Sequence, residues 1–171
     1  GGGRGGGGRY LGSRWRGMGK GRVVGVGVEF RGDHKEQIER HILGPLITLI
    51  NASSIDPATV AQVRRLIHPG ETVMGIRDGN QAKRHGMAER GADHSVITPG
   101  SYIVATDGCM EDFYDAPIGK PNWKQDNPAA AARDFAASHP EFVFDNPVPQ
   151  FNESKLTKTI THWPDAWLKR I

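Results

Sequence analysis

Four short apolar runs, at residues 22–29, 46–50, 72–76 and 101–106, are each separated from the next by a segment long enough to hold a helix. Near-continuous runs of this length, such as Val23-Val24-Gly25-Val26 and Leu46-Ile47-Thr48-Leu49-Ile50, are the pattern of strands covered on both faces. A strand followed by a helix re-enters its sheet in the same direction, so the alternation predicts a mostly parallel sheet. The predicted fold class is α/β, a three-layer sandwich in a single domain over residues 1–171.

Helix punctuation agrees with this reading. Asp33 and Glu36 stand as an N-cap and N3 pair opening a helix to about Ile42, and Asp56-Pro57 caps another that puts Val60, Val63 and Ile67 on one face. Asn127-Pro128 caps an alanine-rich helix to about Ser138. Two further helices, at 8–18 and 82–96, are weakened by Gly12, Gly17, Gly86 and Gly91. Residues 141–144 read as a fifth strand, and the tail through Trp163 and Trp167 adds one or two more, with antiparallel closure at that edge. Residues 109–126 form a long acidic and aromatic segment, with Glu111, Asp112, Phe113, Tyr114 and Trp123, predicted as a lid or substrate loop.

Eleven of the 23 glycines fall in the first 21 residues, which makes the start of the chain either a ligand-cradling turn or a flexible arginine-glycine arm. A glycine turn, a spacer, an apolar strand and then an acidic residue, Glu29, is the order in which open α/β sheets build nucleotide or nucleoside pockets. The formal charge of +3 is the difference between 22 basic and 19 acidic residues, and it gathers at the N-terminal Arg4, Arg9, Arg14, Arg16, Lys20 and Arg22. The nearly neutral remainder disfavours a nucleic-acid partner. With one cysteine, Cys109, the chain forms no internal disulfide and suits a reducing compartment. No run approaches a membrane span and no h-region is present, so the expectation is a soluble, cytoplasmic protein. Asp78 and Asp107-Gly108 stand at strand carboxyl edges, where open α/β sheets bind ligands.

Several ordered stretches together carry a family resemblance: Gly1 to Gly6, Gly-Lys-Gly-Arg-Val-Val-Gly-Val at 19–26, Ile-Thr-Leu-Ile-Asn-Ala-Ser-Ser-Ile-Asp at 47–56, Pro-Gly-Ser-Tyr-Ile-Val-Ala-Thr-Asp-Gly at 99–108 and Trp-Leu-Lys-Arg-Ile at 167–171. Over essentially its whole length the chain resembles the cephalosporin hydroxylase family, whose members are similar to class I S-adenosylmethionine-dependent methyltransferases and include rhamnosyl O-methyltransferases. The resemblance implies a Rossmann-like sheet, S-adenosylmethionine as cofactor, magnesium as a further one, and a small-molecule or sugar hydroxyl as acceptor. It implies that Gly1, Gly3, Arg4, Gly5 and Gly6 cradle the methionine part of the cofactor, and that Ser53 and Ser54 approach its adenosine. Asp78 and Asp107 are the implied catalytic and metal-binding carboxylates, and Asp78 is also placed at the cofactor.

The chain departs from the family at three of these positions. Gly27 stands where the ribose-binding Asp is usual, leaving Glu29 as the nearest acid; Thr106 replaces a Glu, and Gln81 replaces a His. Along an unbroken strand Glu29 projects to the same side as position 27, about 6 to 7 Å further on. His85 and His94 are the remaining candidate bases, both expected on a helix surface, and Cys109 is expected to be structural. The family's first strand, which precedes the glycine turn, has no counterpart here. A fragment is expected, one that by itself binds cofactor poorly or not at all, since buried unpaired backbone groups cost roughly 1 to 3 kcal/mol each. Two other readings stand beside the methyltransferase: an arginine-glycine-armed nucleic-acid-binding module, and a catalytically degenerate relative. Homo-oligomers are compatible with all three.

Overall fold

Chain segments that are rich in β-branched residues extend, and they stop where glycine, proline or a polar cap intervenes. The computed structural model describes residues 21–30, 32–78, 94–147 and 161–171. It divides into two compact units, residues 1–59 and 60–171. The expected helix at 8–18 and most of that at 82–96 lie outside the described residues.

In the first unit, β1 (Val23–Gly27) and β2 (Ile47–Asn51) pair in parallel, with Val23 opposite Ile47 and Gly27 opposite Asn51. Between them run α1 (Gly32–Arg40) and a 3-10 turn at Gly44–Leu46. The helix already includes Gly32, so Asp33 lies in its first turn and not at the expected N-cap. Gly44 is required where the turn meets α1, because a Cβ there would lie 2.6 Å from the Glu39 carbonyl.

β1 is shorter than the expected run to Glu29. The chain bends at Val28, which is 76% exposed. Beyond Gly27 the strand's carbonyls are taken locally: Ala52 N–H donates to Gly27 O at 2.9 Å. Asn51, with its amide oriented to satisfy both partners, donates from Nδ2 to Gly27 O at 3.1 Å and Val28 O at 2.9 Å.

α2 (Pro57–Leu66) carries the boundary between the units, and its start follows the expected cap, with Ala58 N–H donating to Asp56 Oδ1 at 3.0 Å. The second unit then contains β3 (Gly75–Arg77), β4 (Tyr102–Ala105), α3 (Pro128–Ser138), β5 (Phe142–Phe144) and β6 (Trp167–Arg170). β3 begins later than expected because Val73 is engaged elsewhere. Its N–H donates to Thr98 Oγ1 at 3.0 Å and its carbonyl accepts from Thr98 N–H at 3.4 Å.

Strand order is β3-β4-β6-β5, with β3 and β4 parallel and β6 antiparallel to both its neighbours. Three strands therefore run one way and β6 the other. The described residues thus form a mixed α/β fold with two small sheets, one parallel and one mixed. Strand-helix alternation fixes the direction of consecutive strands joined by a helix; it does not register a later strand inserted between two of them. The expected antiparallel closure is present at β6.

One face of the four-stranded sheet carries Ile103, Ala105, Leu168 and Phe142, which pack with Ile97 and with Ala132 and Phe135 of α3. Ala129 to Ala132 are all buried, and small side chains along that stripe let the helix lie close to the sheet. Its N-terminus is closed as the sequence predicts, with Asn127 Oδ1 accepting from Ala130 N–H at 2.8 Å. Near its other end His94 meets Phe135 edge-on and lies 4.8 Å from His139, ring centre to ring centre.

Strand alternation puts Tyr102, Trp167 and Lys169 on the opposite face. Tyr102 donates its hydroxyl proton to Asp145 Oδ2 at 2.7 Å, and Lys169 Nζ lies 3.3 Å from the same oxygen. Those two contacts hold the Asp145 carboxyl below its ordinary range, with the Tyr102 hydrogen bond the larger cause. The same hydrogen bond raises the Tyr102 phenol, and Asp145 raises the Lys169 ammonium. Among the described residues no helix is long and apolar enough to cross a membrane.

Candidate functional site

Two of the expected residues stand at the carboxyl edge of the β3–β4 pair. Asp78 follows directly on β3, and Asp107 stands two residues beyond the end of β4. Thr106 ties the edge together. Its N–H donates to Arg77 O at 3.0 Å, and its hydroxyl proton is shared between Arg77 O and Asp78 Oδ1, each 3.0 Å away. Thr106 is 6% exposed whereas Asp78 is open to solvent, so a buried hydroxyl orients an exposed carboxylate. The substitution read in the sequence as a lost acid thus supplies a donor to the acid that remains.

Asp107 adopts left-handed backbone, φ 59°, and leads into a 3-10 turn at Gly108–Phe113 without capping it through its side chain. Gly108 is needed for approach and not for handedness, since a Cβ there would lie 2.5 Å from Pro164 O. Cys109 is partly buried. Its thiol is raised by burial and then by the Asp107 and Asp112 carboxylates.

The expected lid segment, 109–126, is folded into two short turns, Gly108–Phe113 and Pro121–Lys124. Gly119 is locked between them, because a Cβ there would stand 2.0 Å from Phe113 O. Lys124 lies over the Tyr114 ring at 5.2 Å, and Asn127 Nδ2 donates to Trp123 O at 2.8 Å. Phe113 and Ile118 remain exposed. Glu111, one of the acids of that segment, is gripped by Arg133, whose Nη2 donates to both carboxylate oxygens at 2.9 and 2.8 Å. Nothing local in the sequence signals that pairing, since 22 positions separate the partners.

At the carboxyl edge of the β1–β2 pair, Glu29 follows the bend, while Ser53 and Ser54 follow β2 and are partly buried. Asn51 and Ala52 join these two chain ends through the Gly27 and Val28 carbonyls. The face-alternation expectation for Glu29 does not hold, because the strand ends at Gly27. At Gly27 itself the space of a side chain is filled by Phe30, whose Cζ lies 3.3 Å from the position a Cβ would take. This edge carries two serine hydroxyls and the Glu29 carboxylate, with no acid at position 27.

Gly1, Gly3, Arg4, Gly5, Gly6, Gln81 and His85 lie outside the described residues. His94 is a packing residue of the aromatic cluster around Phe135. Among the described residues no three His, Cys, Asp or Glu side chains converge as a metal site.

Searches of curated proteins and of solved structures returned no match. A family profile described as rhamnosyl O-methyltransferase/CmcI matches residues 1–171. That match covers both strand pairs, the Asp78 and Asp107 edge and the glycine-rich start, and the chain belongs to the rhamnosyl O-methyltransferase/CmcI family.

Proposed function

We propose that the chain transfers a methyl group from S-adenosylmethionine to a hydroxyl of a small molecule or sugar, with Asp78 and Asp107 at the reacting centre. The observation that supports this most is the Thr106 bridge, which fixes Asp78 beside the start of the Asp107 turn at a parallel carboxyl edge. Bound there, S-adenosylmethionine supplies an electrophilic methyl on a sulfonium. The protein's part is to hold the acceptor oxygen in line and take its proton. The C–S bond breaks as the C–O bond forms, and the hydroxyl proton passes to a carboxylate.

Asp78 is suited to hold that proton or the acceptor hydroxyl, because Thr106 engages Oδ1 and orients the group. For the first unit taken by itself, the family resemblance assigns Glu29, Ser53 and Ser54 to the nucleoside and Gly1, Gly3, Arg4, Gly5 and Gly6 to the methionine part. Magnesium, if used, would be held by Asp78 and Asp107 with waters completing the shell, a ligand set that this ion accepts. The finer fold reading, a Rossmann-like mostly parallel sheet, is supported by the two parallel pairs and by the common direction of β3, β4 and β5.

The test is methyl transfer at saturating S-adenosylmethionine to a panel of sugar and phenolic hydroxyls. Asp78→Asn and Asp107→Asn are each expected to lower transfer at least about a hundredfold, the scale of a lost acid-base group. Transfer that survives both substitutions would place the chemistry elsewhere.

A further inference from the structure

We infer that Arg133 is a positioning residue for the Asp107 turn, gripping from α3 both the turn and the loop that enters β6. Its bearing on catalysis rests on the proposed role of Asp107; its mechanical part does not. The guanidinium joins three pieces of chain. Nη2 donates to Glu111 Oε1 and Oε2 at 2.9 and 2.8 Å, and Nη1 donates to Asp165 Oδ2 at 3.2 Å. Glu111 lies within the 3-10 turn that Asp107 leads into. Asp165 directly precedes Ala166, whose carbonyl accepts from Ala105 N–H at 2.9 Å, the bond just before Thr106 and Asp107.

That same loop presses on the turn from the other side. Pro164 O leaves no room for a side chain at Gly108, and His162 O accepts from Cys109 N–H at 3.3 Å. The turn is thus held between α3 and residues 162–166, with Arg133 bonded to both. What is held needs holding. Asp107 is a non-glycine residue at φ 59°, a conformation costing on the order of 1 kcal/mol.

A lone half-exposed ion pair would contribute little. Here the side chains are 41%, 38% and 48% exposed for Arg133, Glu111 and Asp165, and the geometry carries the effect. A planar fork takes one carboxylate bidentately while a second carboxylate shares its charge, which fixes directions that a flexible ammonium would not. Without the cation Glu111 and Asp165 would repel each other.

The experiment compares the full chain with Arg133→Met and Arg133→Lys at one fixed pH. It reads amide hydrogen exchange over residues 108–113 and the reaction rate of Cys109, the sole thiol, with a neutral disulfide reagent. Arg133→Met is expected to speed both at least about fivefold, with β1 and β2 unchanged, and Arg133→Lys is expected to recover part of the loss. Should Arg133→Met not fold, Glu111→Gln is read instead and is expected to speed both rates, by less than fivefold. Rates within about twofold of the parent in the variant read, or an Arg133→Lys no better than Arg133→Met, overturn the inference. S-adenosylhomocysteine binding is measured on the same samples. Its presence supports the methyltransferase reading, while the loop rates alone decide the clamp.

Discussion

Gly27 and Phe30 behave as a pair. The ring fills the place of a side chain at 27, so the usual acid could not be restored by one change without displacing the aromatic group. Gly27→Asp combined with Phe30→Ala is expected to tighten S-adenosylhomocysteine binding about tenfold, the scale of a charge-assisted bond to a ribose hydroxyl, by calorimetric titration. Gly27→Asp alone should gain less. Thr106→Val keeps the shape and removes the hydroxyl. It is expected to cost about 1 kcal/mol of stability in urea titration and to lower kcat more than it raises KM, because Asp78 loses its orienting donor.

A third residue-scale expectation concerns acid. Tyr102 and Lys169 favour the charged form of Asp145, so the folded value lies below the unfolded one. Their contribution is complete above about pH 4 and is lost as pH falls through the lowered folded value. At the other limit, Tyr102 and Lys169 are raised, and their contribution is complete below about pH 10 and fades above it. Asp145→Asn should flatten the acid limb of the urea midpoint against pH; an unaltered limb would refute the assignment.

At the scale of elements, the caps and apolar runs were legible and the joints were not. Asp56 and Asn127 cap helices as their spacing predicts, because a cap is a contact within one turn of chain. Asp33 misled because Gly32 itself joined the helix. Glu29 misled because β1 stops where Asn51, more than twenty positions away, takes its carbonyls. The acids at the β3 and β4 edges could be read from position alone, whereas nothing in the sequence singles out Arg133. Its partners lie 22 and 32 positions off, and no local pattern names them. The joint between the Gly108–Phe113 turn and residues 162–166 is tight enough to test: Gly108→Ala is expected to destabilise by about 2 kcal/mol or more, because the clash is with backbone. An equilibrium unfolding midpoint equal to the parent's would mean the loop yields freely.

Across the molecule, the larger unit depends on one side chain more than its size suggests. Phe135 is 1% exposed and meets Phe142 at 5.2 Å and His139 at 4.1 Å between ring centres. Phe135→Ala is expected to cost about 3 to 5 kcal/mol by chemical denaturation, enough to unfold a marginal domain. The direction of its sheet was only half visible beforehand, since consecutive strands announce their connection and inserted ones do not. That insertion matters for folding: β4 and β5 both precede β6 in the chain, yet each takes β6 as its inner neighbour. A chain that has not yet placed β6 therefore carries two unsatisfied backbone edges, open to pairing with neighbouring polypeptides.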